Sequence, residues 1–161
     1  MTMTIQSNAF ISGQKIPEVF TGEGQDMSPP LTWQHVPQVT RELALICDDP
    51  DAPTPEPWVH WLIYNLPPET ESLPERIPRD GQITAPVTAR QGCNSWPKGD
   101  NLGYMGPMPP RGHGLHHYHF KLYALDIPLN LPPCVDRAQL LAAMSDHILA
   151  TAELMGTYER K

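Results

Sequence analysis

Twenty prolines are spread through this 161-residue chain. Each one fixes φ at about −65° and lacks an amide hydrogen, so a helix interior tolerates it poorly. A chain interrupted this often cannot be mostly helical, whereas short strands joined by stiff loops accommodate it. The prolines are scattered rather than repetitive, which separates the sequence from a low-complexity tail. With 40% hydrophobic and 18% charged residues, the chain can bury the core of one globular domain, read here as residues 1–161. Neither a repeat nor a linker divides it.

Three segments carry strand signals. Leu43-Ala44-Leu45-Ile46-Cys47 is a short apolar run that suits a strand buried on both faces. From Trp58 to Asn65, simple alternation puts Trp58, His60, Leu62 and Tyr64 on one face and Val59, Trp61 and Ile63 on the other. From His116 to about Asp126 the alternation is clean, with His116, Tyr118, Phe120, Leu122 and Ala124 inward and His117 and His119 towards water. Weaker strands are expected near Ser7–Phe10 and Ile83–Thr88. Short strands with Pro/Gly/Asn-rich turns point to an antiparallel β-sandwich. One helix is expected to close the chain, with Asp136 as N-cap, Gln139 completing a capping box, and Leu141, Met144 and Ile148 on one face. It is expected to fray towards Gly156, with the tail from Thr157 packing back on the body. About 5–6% of X-Pro bonds in folded proteins are cis. Twenty prolines therefore predict about one, placed here at Glu56–Pro57.

The net charge of −7 and the lack of any basic block longer than two residues exclude an extended nucleic-acid face. Cys47, Cys93 and Cys134 are odd in number, widely spaced and free of any CxxC, which reads as three reduced thiols in the cytosol. Met1-Thr2-Met3-Thr4-Ile5-Gln6-Ser7 lacks the features of a signal peptide. No apolar run approaches the roughly 20 residues of a membrane span. A soluble cytoplasmic protein is expected.

The chemistry concentrates in two places. Asp48-Asp49-Pro50-Asp51-Ala52-Pro53 leads into Trp58-Val59-His60-Trp61, and Gly112-His113-Gly114-Leu115-His116-His117-Tyr118 lies about fifty residues on. Pro and Gly fix backbone shape while His, Asp and Tyr bring donors and acceptors, so a meeting of the two would build a small polar pocket. The loop Tyr104-Met105-Gly106-Pro107-Met108-Pro109-Pro110 could offer an anion the amides of Gly106 and Met108. Asp49 and Asp51 could each orient an imidazole or meet the ammonium of a zwitterion, while Asp48 reads as a turn former. Trp33, Trp61 and Trp96 read as packing residues, and Trp58 divides evenly between pocket wall and core. The histidines at 113, 116, 117 and 119 look like a metal tract, but alternation splits them between faces, so neither a metal nor a cofactor is expected.

These residues carry a resemblance. Asp26-Met27-Ser28-Pro29-Pro30-Leu31-Thr32-Trp33, Asp48 through Pro53, Trp58 to Trp61, Gly103 to Pro110, Gly112 to Tyr118, Leu122 to Asp126 and Ala152 to Tyr158 resemble the phosphatidylethanolamine-binding proteins, in particular the bacterial Raf-kinase-inhibitor-like branch. The likeness runs in order through nearly the whole chain. It implies a Greek-key antiparallel sandwich with peripheral helices and a pocket for phosphate, acetate or phosphorylated head groups. The implied wall is Asp49, Asp51, Ala52, Pro53, Trp58, His60, Gly106, Met108, Pro109, Pro110, His116 and Tyr118, with His60, His116 and Tyr118 as side-chain donors. His117 stands where the family usually has Arg, so a salt bridge at the rim is expected to be lost. Met108 replaces a smaller residue and is expected to narrow the mouth. The resemblance leaves room for a homodimer and for a protein partner. Eukaryotic members are tied to kinase regulation, so the resemblance extends to regulation of a kinase or other partner, an activity that the residues themselves do not show.

A binding protein for small phosphorylated or carboxylated anions is the leading reading. The alternative is a hydrolase in which His60 or His116, oriented by Asp49, activates water. Against it, Ser28 and Ser95 have proline or tryptophan neighbours rather than a G-x-S-x-G elbow. A third reading is an interaction protein whose pocket is vestigial.

Overall fold

The computed structural model describes residues 1–99 and 101–161. Within them nine strands form: β1 (Thr4–Gln6), β2 (Leu31–Gln34), β3 (Glu42–Asp49), β4 (Trp58–Leu66), β5 (Ser72–Leu73), β6 (Gln82–Ile83), β7 (Ala89–Gln91), β8 (His116–Leu125) and β9 (Ile148–Tyr158). A small sheet has the order β1-β2-β5, and a large one the order β6-β7-β4-β3-β8-β9. Every pairing between these strands is antiparallel. The apolar run of β3 sits near the middle of the large sheet and is buried at every position.

The two faces of that sheet have different cover. Leu45, Cys47, Trp61, Ile63, Phe120 and Leu122 pack with Ile5, Leu31 and Trp33 of the small sheet to fill the sandwich. On the opposite face, Ala44, Ile46, Leu62 and Tyr64 pack against Leu129, Val135, Leu140 and Met144. The last two belong to the helix α1 (Arg137–Met144). The fold is thus mainly β, an antiparallel sandwich with one helix near the C-terminus.

Several expectations change. The capping box at Asp136 and Gln139 forms as anticipated, but α1 stops at Met144 and Ile148 begins an eleven-residue strand. The chain reverses at Asp146, with φ of 68°, and β9 then pairs with β8 along its length. Helical spacing at Ile148 loses to a ladder in which every other residue of Ala152, Leu154, Gly156 and Tyr158 is buried. The N-terminal strand is Thr4–Gln6 instead of Ser7–Phe10. The expected 83–88 strand splits into β6 and β7 around the cis bond, which lies at Ala85–Pro86 and not at Glu56–Pro57. Cys93 and Cys134 form a disulfide, their Cα atoms 4.6 Å apart, and Cys47 alone is a free thiol. Three reduced thiols are therefore not what the chain holds, and that ground for a cytoplasmic location falls away. Among the described residues, no helix is long and apolar enough to cross a membrane.

Candidate functional site

At one end of the large sheet the last residue of β3 and the first residues of β4 and β8 come together, Asp49 pairing with Trp58 across β3 and β4. They open on a cavity of about 260 Å³, lined by Asp49, Ala52, Pro53, Thr54, Trp58, His60, Trp96, Met108, Pro109, Pro110, His116 and Tyr118. Topology explains the meeting. The chain leaves β3 at the Asp/Pro segment, returns along β4, and β8 later enters the sheet on the other side of β3.

His60 reaches the cavity through a β-bulge. The β3–β4 register slips so that Cys47 opposes Trp61 while Asp48 opposes Val59, which leaves His60 as the extra residue. His60 and Trp61 consequently both turn to the sandwich side, Trp61 into the core and His60 to the cavity. Leu62 and Tyr64 join the helix-side core. Strict alternation would have kept His60 on their face. A bulge re-aims a side chain in this way, and it leaves no trace in hydrophobic periodicity.

His60 is 3% exposed. Its Nδ1–H donates to the carbonyl of Met105 at 2.6 Å, and Met105 returns its own amide to the His60 carbonyl at 3.0 Å. Burial lowers its pKa from 6.5 to about 4, outweighing the favourable carbonyls of Met105 and Gly106, with the His116 charge acting in the same direction as burial. His60 is therefore neutral near pH 7. The loop that holds it is pinned from behind. The Gly106 amide donates to Asp26 Oδ1 at 2.7 Å, Arg79 Nε to the Tyr104 carbonyl at 2.7 Å, and the Tyr104 hydroxyl to the Phe20 carbonyl at 2.6 Å. A Cβ on Gly106 would come within 2.2 Å of the Phe20 carbonyl oxygen, so the approach needs glycine.

His116 lies with Nδ1 2.6 Å from Asp49 Oδ2, both side chains almost fully buried. Its Nε2 meets Nδ1 of the exposed His113 at 2.7 Å. Asp49 also takes the Asp51 amide on its other oxygen at 2.8 Å, which locks the carboxylate in the turn. Tyr118 crosses His60 edge-on with centroids 5.0 Å apart. Burial, reinforced by the charge of Asp49, pushes its phenol well up, so it remains an O–H donor.

Ten of the twelve expected wall residues thus line one cavity. Two do not. The Gly106 amide is taken by Asp26. Asp51 turns to the rim, accepting the His117 amide at 2.8 Å and its Nδ1–H at 2.7 Å. Partial burial raises the Asp51 carboxyl, but these two bonds outweigh it and hold it below the usual range. His117 thereby makes a rim contact of its own with Asp51, where the loss of an Arg salt bridge was expected. Asp48 is no simple turn former. It is buried on the other sheet face, 3.1 Å from Arg137 Nε and 3.7 Å from Lys121 Nζ. His119 pairs with Glu153, and among the described residues no cluster of His, Cys, Asp and Glu is arranged to hold a metal.

The sequence signature described as phosphatidylethanolamine-binding protein matches residues 6–159. The chain belongs to that family. It is 46% identical to the UPF0098 protein of Pyrococcus horikoshii over 155 residues, covering 96% of this chain and 76% of the relative. Among solved structures it resembles a phosphatidylethanolamine-binding protein homologue of Chlamydia trachomatis, with 40% identity, a TM-score of 0.85 and 99% of each chain covered. YbcL of E. coli matches over 100% of both chains with 32% identity and a TM-score of 0.90.

In this member of the phosphatidylethanolamine-binding protein family, sequence reasoning missed Thr54 and Trp96 as wall residues and His113 as a partner of the site. Trp96 stacks edge-on against Trp58 at 5.4 Å and His60 at 5.1 Å. Its approach depends on Ser95, whose hydroxyl accepts the Val59 amide at 2.7 Å. An aromatic between Ser95 and Pro97, outside any alternating run, was the available signal.

Proposed function

We propose that this protein binds small phosphorylated or carboxylated molecules, including the head-group chemistry that the family's name implies, in the cavity at the end of β3, β4 and β8. One observation carries the reading: Asp49, His60, His116 and Tyr118 come from three different strands to one small, largely apolar cavity. That is the form of a site for a small polar group rather than of a packing defect. None of the described residues takes the Tyr118 hydroxyl, so its proton is available to a ligand. Asp49, which lines the cavity where Asp51 turns to the rim, is the carboxylate at hand for an ammonium.

The hydrolase reading draws on the short Asp49–His116 contact, the orienter–base pair such chemistry requires. It is weakened by His113, which occupies the nitrogen of His116 that would have to take a proton from water. Titration calorimetry with phosphate and phosphoethanolamine tests the binding reading, with the product mixture examined for cleavage. Saturable binding with the ligand recovered intact is expected, lost in His116→Ala and weakened in Tyr118→Phe, a variant that keeps the ring. Turnover of phosphoethanolamine abolished by His116→Ala would favour the hydrolase. No saturable binding would leave a fold with a vestigial pocket.

A further inference from the structure

His116 has no nitrogen to spare. Its Nδ1 lies 2.6 Å from Asp49 Oδ2, and its Nε2 lies 2.7 Å from His113 Nδ1. An imidazole has only these two nitrogens with which to hydrogen-bond. Whichever ring supplies the proton between the two histidines, both nitrogens of His116 are occupied, although its ring forms part of the cavity wall. A ligand in the cavity therefore gains a hydrogen bond with His116 only if one of the two contacts breaks.

The contacts differ in what their loss would expose. Asp49 is 3% exposed and His116 1%, and the Asp51 amide fixes the carboxylate at 2.8 Å. Parting them would strand a buried carboxylate at the full desolvation cost of that group. His113 is exposed and stands outside the cavity lining, so water can take over its ring nitrogen. The His113 contact is the one to yield.

The loop around His113 is built for that ring to turn while its backbone stays. The Gly112 amide donates to the Arg160 carbonyl at 3.0 Å, and the His113 amide to the Pro110 carbonyl at 3.2 Å. On either side, Gly112 and Gly114 have φ of 73° and 90°, and a Cβ on either would meet nothing within 4 Å. The ring thus has open space on both flanks, and exposed side chains change rotamer within picoseconds to nanoseconds.

We propose that His113 is a built-in competitor for the cavity: it holds Nε2 of His116 until the phosphate group of a ligand takes its place. This rests on the binding function proposed above and adds to it a residue that sets affinity. Near pH 7 inorganic phosphate carries both hydroxyl and bare oxygens, so it can replace His113 whichever ring holds the shared proton. The Asp49 contact is kept throughout and His116 stays oriented.

Calorimetry near pH 7 on the full chain tests this, with inorganic phosphate and phosphoethanolamine titrated into the parent, His113→Ala and His113→Asn. Loss of the competing bond in His113→Ala is expected to tighten binding by about three- to tenfold, the span of one net hydrogen bond. The gain is expected with each probe that binds the parent, and the ratio of the two affinities tells free phosphate from head group. His113→Asn, whose amide can hold the same nitrogen, is expected to return affinity to the parent level. In the parent, the nitrogen-15 signal of His113 Nδ1 is expected to move towards that of a water-exposed imidazole as phosphate saturates. Binding by His113→Ala alone would support the competitor and the binding function together. Unchanged affinity in His113→Ala would overturn the inference and leave the binding function standing, as would an Nδ1 signal that does not move or an Asn variant as tight as the Ala one. Weaker binding in His113→Ala would overturn it too, making His113 a ligand contact. If neither the parent nor His113→Ala binds either probe, the binding function falls and this inference with it.

Discussion

His60 links stability to pH. Its folded pKa of about 4 lies below the ordinary 6.5 because burial penalises the charged ring more than the Met105 and Gly106 carbonyls favour it. The unfolded chain therefore binds the extra proton between pH 6.5 and 4, so the stabilisation present above pH 6.5 is lost as the pH falls through that window. The span corresponds to a loss on the order of 3 kcal/mol. Asp26 and Glu42 act with the opposite sign, because burial raises their carboxyls and the folded state keeps their protons longer as pH rises. Urea unfolding at pH 7 and pH 4.5 is expected to show a smaller acid loss in His60→Gln than in the parent. Equal losses would place the acid sensitivity elsewhere. Gly106→Ala is expected to cost about 2 kcal/mol, because its Cβ would meet backbone and the Asp26 carboxylate rather than a yielding side chain. The same denaturation assay reads it. His60, His116 and Tyr118 could be selected from sequence because aromatics, prolines and glycines surround them. That His60 keeps Nδ1 for Met105, and His116 keeps Nε2 for His113, was not legible, since both partners are set by loop packing.

At the scale of elements, α1 and β9 show where local signals suffice and where they do not. Asp136 accepts the Gln139 amide at 2.8 Å and Gln139 Oε1 accepts the Asp136 amide at 2.9 Å, the capping box its residues announce. Asp136→Ala is expected to destabilise by about 1 kcal/mol in a denaturation series. The end of α1 was misjudged because Ile148 fits the 3.6-residue spacing as well as it fits a strand, and pairing with β8 decides between them. Gly156 shows what that pairing brings: a Cβ there would sit 2.5 Å from Ile16 Cγ1 and 2.8 Å from Phe10 Cε2. The Cys93–Cys134 link ties the segment before Trp96 to the segment before α1, a sequence separation of 41 residues. Thiol titration of protein denatured without reductant should count one reactive group per chain. Three would restore the reduced state that cysteine spacing suggested.

Across the whole molecule, the central position of β3 sets the order of opening. Leu43, Ala44, Leu45 and Ile46 are at 0% exposure with both faces covered, whereas the small sheet has strands of only two to four residues. Amide exchange is expected to be slowest in β3 and its neighbours β4 and β8, and faster in β1, β2 and β5. Faster exchange in β3 than in β2 would contradict this. The sequence by itself determined the strand-rich class, through proline frequency and two-residue alternation, and pointed to the two polar segments that meet at the cavity, through their local chemistry, while the fuller wall came from the family resemblance. Tertiary structure alone decided the bulge that turns His60 inward, the engagement of Gly106 with Asp26, the turning of Asp51 to the rim that leaves Asp49 as the cavity's carboxylate, and the pairing of Cys93 with Cys134. The physical reason is common to all four. Periodicity and residue type report which groups are buried, while the partner each buried polar group finds depends on segments brought together across the fold.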